Sequence, residues 1–574
     1  MGVPGFFSWL IRLRLRLRLK SQLKNELIIN EINTKINYLM LDTNCLLHPC
    51  VAYILEKYSK NMLILKPNMS IREQLEQLIW ERIVKEIDFM ILKLKPEYVY
   101  IAIDGVAPMG KILQQRQRRY KYLFDNEIKL VEKEQKILIE TITDENISVP
   151  LKPISSIELT PGTPYMERIH LLMINYLEQL KQKNIKCIYS SYHQVGEGEH
   201  KILQYIKTNI KPNNTIVIYG LDADLLFLSL SVDINCDLYV MREQQIFSNE
   251  KLDFDKEINY NYVKIKDLQV IINELEININ DFIVCCYLVG NDFLPALLTL
   301  DIKKGGLDKI LTAYSNVKNK FTKEKFNTIV NIKIINNKKT FSINHNFLFE
   351  LFVQLQRTET FVWENMNRGD FTNKNIKYNK DDSQELKKFI SGESANIDCL
   401  NKIEFNSKLE YYNHYLGLNE LSSTTTIIKQ MVHDYIVGIE WCINYYFDDC
   451  KCWKQGYNFS ISPLISDIVN YYPKKIKLTN TKCELNPIEG LLLAIPPNTY
   501  KYVISSEIIN KLKEHKRIGY MFPQSFDLDI NKESMYWKCN VNIPMVEYNE
   551  YLNVIKTLNI SDVKNKIGND IKNF

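Results

Sequence analysis

Three continuous apolar runs in the first half of the chain each close on an aspartate: residues 36–42 (Ile-Asn-Tyr-Leu-Met-Leu-Asp), 98–104 (Tyr-Val-Tyr-Ile-Ala-Ile-Asp) and 215–222 (Thr-Ile-Val-Ile-Tyr-Gly-Leu-Asp). Runs of this kind, followed by helical segments, read as strands buried on both faces of a parallel α/β sheet. Ligands of such sheets bind beyond the carboxyl ends of the strands. Asp42, Asp104 and Asp222, far apart in sequence, are therefore expected to meet at one edge. The α/β pattern continues to about Leu300, and an Asn/Lys/Thr-rich stretch at 314–340 then weakens it. A short helix is expected at 346–357, a polar insertion or linker at 367–406, and a second region from 407 with aromatic clusters such as Trp441-Cys-Ile-Asn-Tyr-Tyr-Phe447. The chain thus divides into an α/β region (1–313), a linking segment (314–406) and a second region (407–574), with no internal repeat.

More acids accompany the strand ends: Gly196-Glu197-Gly198-Glu199-His200, Asp224 two residues after Asp222, and Gly290-Asn291-Asp292-Phe293 after an apolar, helix-like run. The glycines leave the backbone free to aim Glu197 and Glu199 one way, and the helix starting near Lys201 offers its positive end beside them. Any one strand-end aspartate has a plain alternative reading as a helix cap or turn residue. Seven acids brought together, however, would raise one another's pKa and neutralise the site unless cations compensate them. All-oxygen ligands select Mg²⁺ or Mn²⁺ over zinc. Two such ions clamp the attacking water and leaving oxygen of a phosphodiester, which points to metal-dependent phosphodiester hydrolysis.

After Asp104 comes Gly105-Val-Ala-Pro-Met-Gly110-Lys111-Ile-Leu-Gln-Gln115-Arg-Gln-Arg118-Arg119. On a helix, Lys111, Gln115, Arg118 and Arg119 share one face (i, i+4, i+7, i+8), a donor-rich stripe suited to a terminal phosphate. The plain alternative is a solvated basic face. The Gly105-x4-Gly110-Lys111 spacing imitates a nucleotide-binding P-loop, but Ile112 stands where a metal-binding Ser or Thr is needed and Pro108 removes an amide donor. No nucleotide cofactor is expected.

Composition adjusts this picture only slightly. The 574 residues are 45% hydrophobic and 25% charged, with 73 basic and 68 acidic side chains giving a net charge of +5. That is ordinary globular usage, so nucleic-acid affinity has to come from local patches. The 12 cysteines include no C-x-x-C pair, which argues against a zinc knuckle or a secreted disulfide framework. No apolar run is long enough to cross a bilayer, so no membrane partner is expected. The start lacks the Ser or Thr that a myristoylation signal carries at its sixth position, and its Arg/Leu alternation (12–19) imitates a transit peptide only loosely. With no dense basic import cluster, a cytoplasmic monomer is expected, the nucleus being the alternative.

With these residues on the page, the sequence resembles the Xrn/Rat-type 5′→3′ exoribonucleases over essentially its whole length. The landmarks, in order, are Met1-Gly-Val-Pro, Leu41-Asp-Thr-Asn-Cys-Leu-Leu-His48, Asp104-Gly-Val-Ala-Pro, Gln114-Gln-Arg-Gln-Arg-Arg119 and Thr160-Pro-Gly-Thr. They continue with Gly196-Glu-Gly-Glu-His-Lys-Ile, Gly220-Leu-Asp-Ala-Asp-Leu, Gly290-Asn-Asp-Phe-Leu-Pro295 and Pro463-Leu-Ile-Ser-Asp467. The resemblance implies a PIN/FEN-like α/β nuclease core with a parallel central sheet and a mainly helical second conserved region packed against it. It also implies processive release of mononucleotides from single-stranded RNA bearing a 5′ monophosphate, with two Mg²⁺ or Mn²⁺ ions.

Residue by residue, the resemblance places the metal-site acids at Asp42, Asp104, Glu197, Glu199, Asp222, Asp224 and Asp292, and the 5′-phosphate pocket at Lys111, Gln115, Arg118 and Arg119. It places a base-stacking histidine at His48, with Trp453 as the candidate aromatic partner; Gln455 stands where the family has a second tryptophan, and Trp441 reads as core. Cys45 and Met109 depart from the family's usual Gly and Arg. The Arg/Leu start is expected to be helical despite its period-2 pattern, and the accessory modules of the large cytoplasmic enzymes are expected to be missing. Two rival readings are a flap-type structure-specific endonuclease and an inactive RNA-binding scaffold.

Overall fold

The structure is a computed structural model. It describes residues 5–6, 9–13, 27–60, 63–64, 66–129, 136–140, 146–150, 154–221, 224–243, 259–302, 305–321, 327–336, 338–366, 373–376, 402–403, 408–416, 421–502, 504, 506–529, 539–558 and 571–573. The main sheet is built from β1 (Ile28–Ile29), β2 (Tyr38–Asp42), β3 (Tyr98–Ala102), β4 (Lys186–Ser190), β5 (Thr215–Tyr219), β6 (Asp237–Glu243), β7 (Tyr260–Lys264) and β8 (Ile571–Asn573). Their spatial order is β1-β7-β6-β5-β2-β3-β4-β8. The five inner strands, β6 to β4 in that order, are parallel, as expected. The flanking pairs are antiparallel, so the sheet as a whole is mixed around its parallel centre; an antiparallel edge on a parallel core is common because an edge strand needs no crossover helix.

The period of two explains the continuous apolar runs. Met40, Tyr100, Ala102, Ile216 and Ile218 point into one core. Leu39, Leu41, Val99, Ile101 and Val217 point into the other. Both faces are therefore covered, and no position in these strands is free to be polar until the strand ends. Register keeps those ends level, with Asp42 opposite Ala102 and Leu41 opposite Tyr219.

Ile71–Leu94, Pro164–Gln182 and the helix α1 (Asn44–Lys60) cover the second face. The first face carries α3 (Gly198–Asn209) and α4 (Asp224–Leu230) and continues without a break into the helices of the second region, above all α5 (Leu421–Phe447). The helix α2 (Met109–Lys129), which carries the basic stripe, packs against the second region. The fold class is thus α/β with a helical second region packed on it, as the resemblance implied.

Two local expectations change. The helix expected at 346–357 runs the full length of His345–Met366. It continues because buried Glu359 accepts from the Ser466 backbone N–H (3.0 Å) and hydroxyl (2.5 Å) of the neighbouring helix, a contact that sequence spacing does not reveal. The Asn/Lys/Thr-rich stretch holds a hairpin, Val330–Ile335 paired with Lys338–Ile343, because its β-branched residues alternate through the lysines. Most of the polar segment 367–406, and the Arg/Leu repeat beyond Leu13, lie outside the described residues; Trp9 to Leu13 are helical, with Trp9 and Leu10 buried.

The second region is fastened at the C-terminal end of α5. A helix end leaves carbonyls without intrahelical partners, and one face of α3 supplies donors to them. His200 Nε2 meets the Tyr445 carbonyl at 3.1 Å, Gln204 donates to the Asp448 carbonyl, and Lys207 Nζ donates to the Tyr446 and Phe447 carbonyls at 2.8 and 3.2 Å. The three side chains are spaced i, i+4, i+7, a single helical face. Among the described residues no helix is long and apolar enough to cross a membrane.

A second fastening is the guanidinium of Arg116, wholly buried on α2. It donates to the Leu493 carbonyl at 3.1 Å and to the Met521 carbonyl, and lies 4.8 Å from the Tyr120 ring. Arg116→Met removes a charged donor and leaves two buried carbonyls unsatisfied, which costs about 2–4 kcal/mol. Urea denaturation should show the lower midpoint; an unchanged midpoint would show that α2 does not depend on this contact.

Candidate active site

Asp42 is the last residue of β2, and Asp104 lies two residues beyond β3. The turn after β2 sends Asn44 back across the sheet, where its side-chain oxygen accepts the Asp104 backbone N–H at 3.1 Å. From the next strand, the start of α3 enters between the two aspartates. The Gly198 N–H donates to Asp104 Oδ1 at 2.6 Å, and a Cβ on Gly198 would stand 2.6 Å from Asp42 Oδ1. That close approach, together with the left-handed Gly196 (φ +104°), is why the segment reads Gly-Glu-Gly-Glu.

Glu197 caps this helix, and both its oxygens are engaged. Oε1 lies 2.7 Å from Lys111 Nζ, and Oε2 accepts the Tyr445 hydroxyl at 2.8 Å. The same ammonium is 2.8 Å from Asp292 Oδ2, so Lys111 bridges two acids that lie far apart in sequence. Asp42, Asp104, Glu197 and Asp292 thereby form one contiguous cluster. Glu199 and Asp224 are buried beside it, the charge of Glu199 felt at Tyr445 and that of Asp224 at Tyr446. Asp222 lies outside the described residues.

The electrostatics follow from burial. Desolvation, reinforced by the Glu197 charge, pushes the Asp104 carboxyl up to about 6, against the Gly198 N–H and the charges of Lys111 and Lys201. Burial also acts to raise Asp292, but the Lys111 ammonium overcomes it, through charge and hydrogen bond with help from Arg118, and holds that carboxyl well below its ordinary range. Lys201 is enclosed beneath the cluster, donating to the Ile103 and Ser191 carbonyls at 2.7 and 2.8 Å. Burial drives its ammonium down to about 7, opposed by Asp104 and Asp42. Tyr445 is raised well above its ordinary value by burial and the Glu197 charge, so it acts only as a donor to Glu197.

The donor set is carboxylate throughout, the chemistry that suits Mg²⁺ or Mn²⁺. Among the described residues no three His, Cys, Asp or Glu side chains stand together ready to hold an ion; the positive charge between Glu197 and Asp292 is supplied by Lys111. The residues fit a hard cation in kind and in charge. The P-loop imitation fails structurally as well, since Lys111 is committed to acids and Gly105 is pressed against the Gln194 backbone.

The basic stripe divides in two. Lys111 faces the acids, while Gln115, Arg118 and Arg119 line a pocket whose wall also includes Asp104 and Glu197. Arg119 donates to the Thr160 hydroxyl at 2.7 Å, and no carboxylate pairs with it among the described residues. Desolvation, with the adjacent Arg118 charge, pushes its guanidinium down to about 9, still cationic at neutral pH. His48, exposed on α1, lines the same pocket, and Pro487, Gly490 and Leu491 of the second region close it.

Trp453 is not among the lining residues. It is half-buried, with its ring 4.0 Å from where a Gly196 Cβ would stand and its carbonyl accepting the Met109 N–H at 2.8 Å. Trp441 is buried, stacked on Tyr445 with ring centroids 4.9 Å apart. Sequence reasoning missed Tyr445, Lys201 and the pairing of Thr160 with Arg119. Only the i, i+4 spacing of Trp441 and Tyr445 on an apolar helix hinted that they share a face.

Comparison with known proteins gives the family. The family described as "XRN 5'-3' exonuclease N-terminus" matches residues 1–244, and the "Xrn1 helical domain" matches 273–407 and 319–567. Among similar proteins are 5'-3' exoribonuclease 1 of Schizosaccharomyces pombe (24% identical, covering 95% of this chain and 48% of the relative) and of Homo sapiens (26%, covering 98% and 34%). Another is 5'-3' exoribonuclease 2 of Arabidopsis thaliana (24%, covering 95% and 66%). The chain therefore spans about half the length of the first of these and a third of the second. Matched along almost its whole length by both parts of one family, the chain belongs to the XRN 5'-3' exonucleases, as a distant relative of these enzymes.

Proposed function

We propose that this chain is a processive 5′→3′ exoribonuclease that hydrolyses 5′-monophosphorylated single-stranded RNA to mononucleotides, as a monomer in the cytoplasm. The observation that carries this reading is a shared wall: Asp104 and Glu197 belong both to the buried acid cluster and to a pocket holding a cation, Arg119, that no carboxylate neutralises among the described residues. An anionic group is the natural partner of such an arginine, and a fork-shaped guanidinium suits a phosphate.

In this reading residues 1–313 supply the nuclease core, 407–574 close the pocket, and 314–406 link the two. Arg118, Arg119 and Gln115 bind the 5′ phosphate, and Lys111 joins them when it leaves the acids. His48 packs on the first base, with Trp453 as its proposed partner, a sequence-tolerant contact suited to single strands. Asp42, Asp104, Glu197, Glu199, Asp222, Asp224 and Asp292 would hold two Mg²⁺ or Mn²⁺ ions. When bound, these supply the polarisation of water and of the leaving oxygen. The acids orient the scissile phosphate one nucleotide from the pocket, and the closed pocket admits a monophosphate end but not a cap or triphosphate.

The direct test gives the purified chain one RNA with a 5′ monophosphate, triphosphate or hydroxyl end, with Mg²⁺ or EDTA. Metal-dependent release of mononucleotides from the monophosphate form alone is expected. Internal cuts indifferent to the 5′ end would favour the flap-type endonuclease, and binding without cleavage the scaffold.

One variant and one condition sharpen this. Arg119→Met should raise KM for 5′-monophosphate RNA by about 10- to 100-fold, the worth of a hydrogen-bonded charge pair, with little change for 5′-hydroxyl RNA in steady-state assays. An equal loss on both substrates would remove Arg119 from the phosphate pocket.

Asp104 gives a pH signature. With its carboxyl near 6 in the folded protein and an ordinary value of 3.8, protonated Asp104 contributes stability that is fully present below about pH 4 and lost as pH rises through about 6. A cation that needs the ionised carboxylate acts in the opposite sense. The rise in Tm on adding Mg²⁺ should therefore grow between about pH 5 and 7, as scanning fluorimetry can measure. A rise that stays flat across that interval would take Asp104 out of the ligand set.

A further inference from the structure

The last turn of α5 reaches the acid cluster through one side chain. Tyr445 donates its hydroxyl to Glu197 Oε2 at 2.8 Å, and its ring is held on both faces. On one side lies His200, with ring centroids 4.3 Å apart and planes 10° apart; on the other lies Trp441, at 4.9 Å and 14°. The Phe293 edge closes the stack at 5.2 Å. Both outer members of the stack are themselves fixed. The Trp441 indole N–H donates to the Cys452 carbonyl at 2.8 Å. His200 Nε2 is 3.1 Å from the Tyr445 carbonyl, which can only accept, so that nitrogen carries the hydrogen.

Glu197 therefore has one oxygen on a mobile kind of partner, the Lys111 ammonium at the end of a flexible chain, and the other on a rigid one. A ligand acid must present a fixed lone pair while its other oxygen exchanges partners. Hydrogen bonds from outside the ligand set commonly fix such carboxylates, and losing one weakens metal affinity or activity 10- to 100-fold. The element that supplies this bond is a helix of the second region, docked by its own carbonyls onto the helix that Glu197 caps.

We propose that Tyr445 is a positioning residue: its hydroxyl fixes the orientation of Glu197, and through it the second region controls cation binding by the nuclease acids. The inference rests on the reading of Glu197 as a metal-site acid.

The test is Tyr445→Phe, which keeps the ring between Trp441 and His200 and removes only the donor. Mn²⁺ binding without RNA, read by the electron paramagnetic resonance signal of free Mn²⁺, should weaken by about 10-fold or more. In turnover, kcat should fall by a similar factor with KM for 5′-monophosphate RNA unchanged. In a double-mutant cycle, Tyr445→Phe should add no further loss on a Glu197→Gln background. Unchanged Mn²⁺ affinity in Tyr445→Phe, or full additivity in the cycle, would overturn the proposal.

Should the phenylalanine variant fail to fold, site-specific 3-fluorotyrosine and 4-fluorophenylalanine at position 445 pose the same question. The first must retain Mn²⁺ binding and the second must lose it; equal binding by both overturns the proposal. If the unaltered chain binds Mn²⁺ but releases no mononucleotides, the exoribonuclease reading fails while the Mn²⁺ comparison still judges Tyr445.

Discussion

Carboxylates that are buried together cannot stay ionised without a counter-charge, and that constraint organises this molecule. Asp42, Asp104, Glu197, Glu199, Asp224 and Asp292 lie at or next to the carboxyl edge of one sheet, most of them almost fully buried. The folded chain meets the cost in three ways. Lys111 bridges Glu197 and Asp292, Lys201 sits beneath Asp104, and the N–H of Gly198 at the start of α3 donates to Asp104. Even so, Asp104 is left with its carboxyl raised to about 6. In the proposed reading, a bound cation would offset that remaining cost.

The same constraint explains why the second region is integral to the fold. Lys111 stands on α2, whose Arg116 is fixed by carbonyls of the second region. Glu197 and His200 stand on α3, whose outer face receives the end of α5. The helices α2 and α3 are thus both clamped from outside by backbone carbonyls of the second region. Clamping by carbonyls is undemanding in sequence but exact in direction, which suits a chain only about a quarter identical to its relatives.

Much of this was legible beforehand, and the reason is physical. Strands buried on both faces must be apolar throughout, so the first polar residue marks the strand end, and Asp42 and Asp104 announced the edge of the sheet. The i, i+4, i+7 spacing placed the stripe on α2 correctly as one helix face. What spacing cannot reveal is which end of that face meets which neighbour: Lys111 faces acids, while Arg118 and Arg119 face a pocket. Tyr445 was invisible because its role is set by a contact across 248 residues, and nothing local distinguishes it from the core aromatics Trp441 and Tyr446 around it. The antiparallel edges of the sheet and the full length of the His345–Met366 helix were missed for the same reason, since long-range pairing decided both.

The most direct test of the central claim is a crystal structure in Mn²⁺ with anomalous data. Manganese peaks are expected among Asp42, Asp104, Glu197 and their neighbours, with the Lys111 ammonium withdrawn from between Glu197 and Asp292. No manganese at the acids, with Lys111 still bridging them, would mean that the cluster is a closed structural ion-pair network and not a metal site.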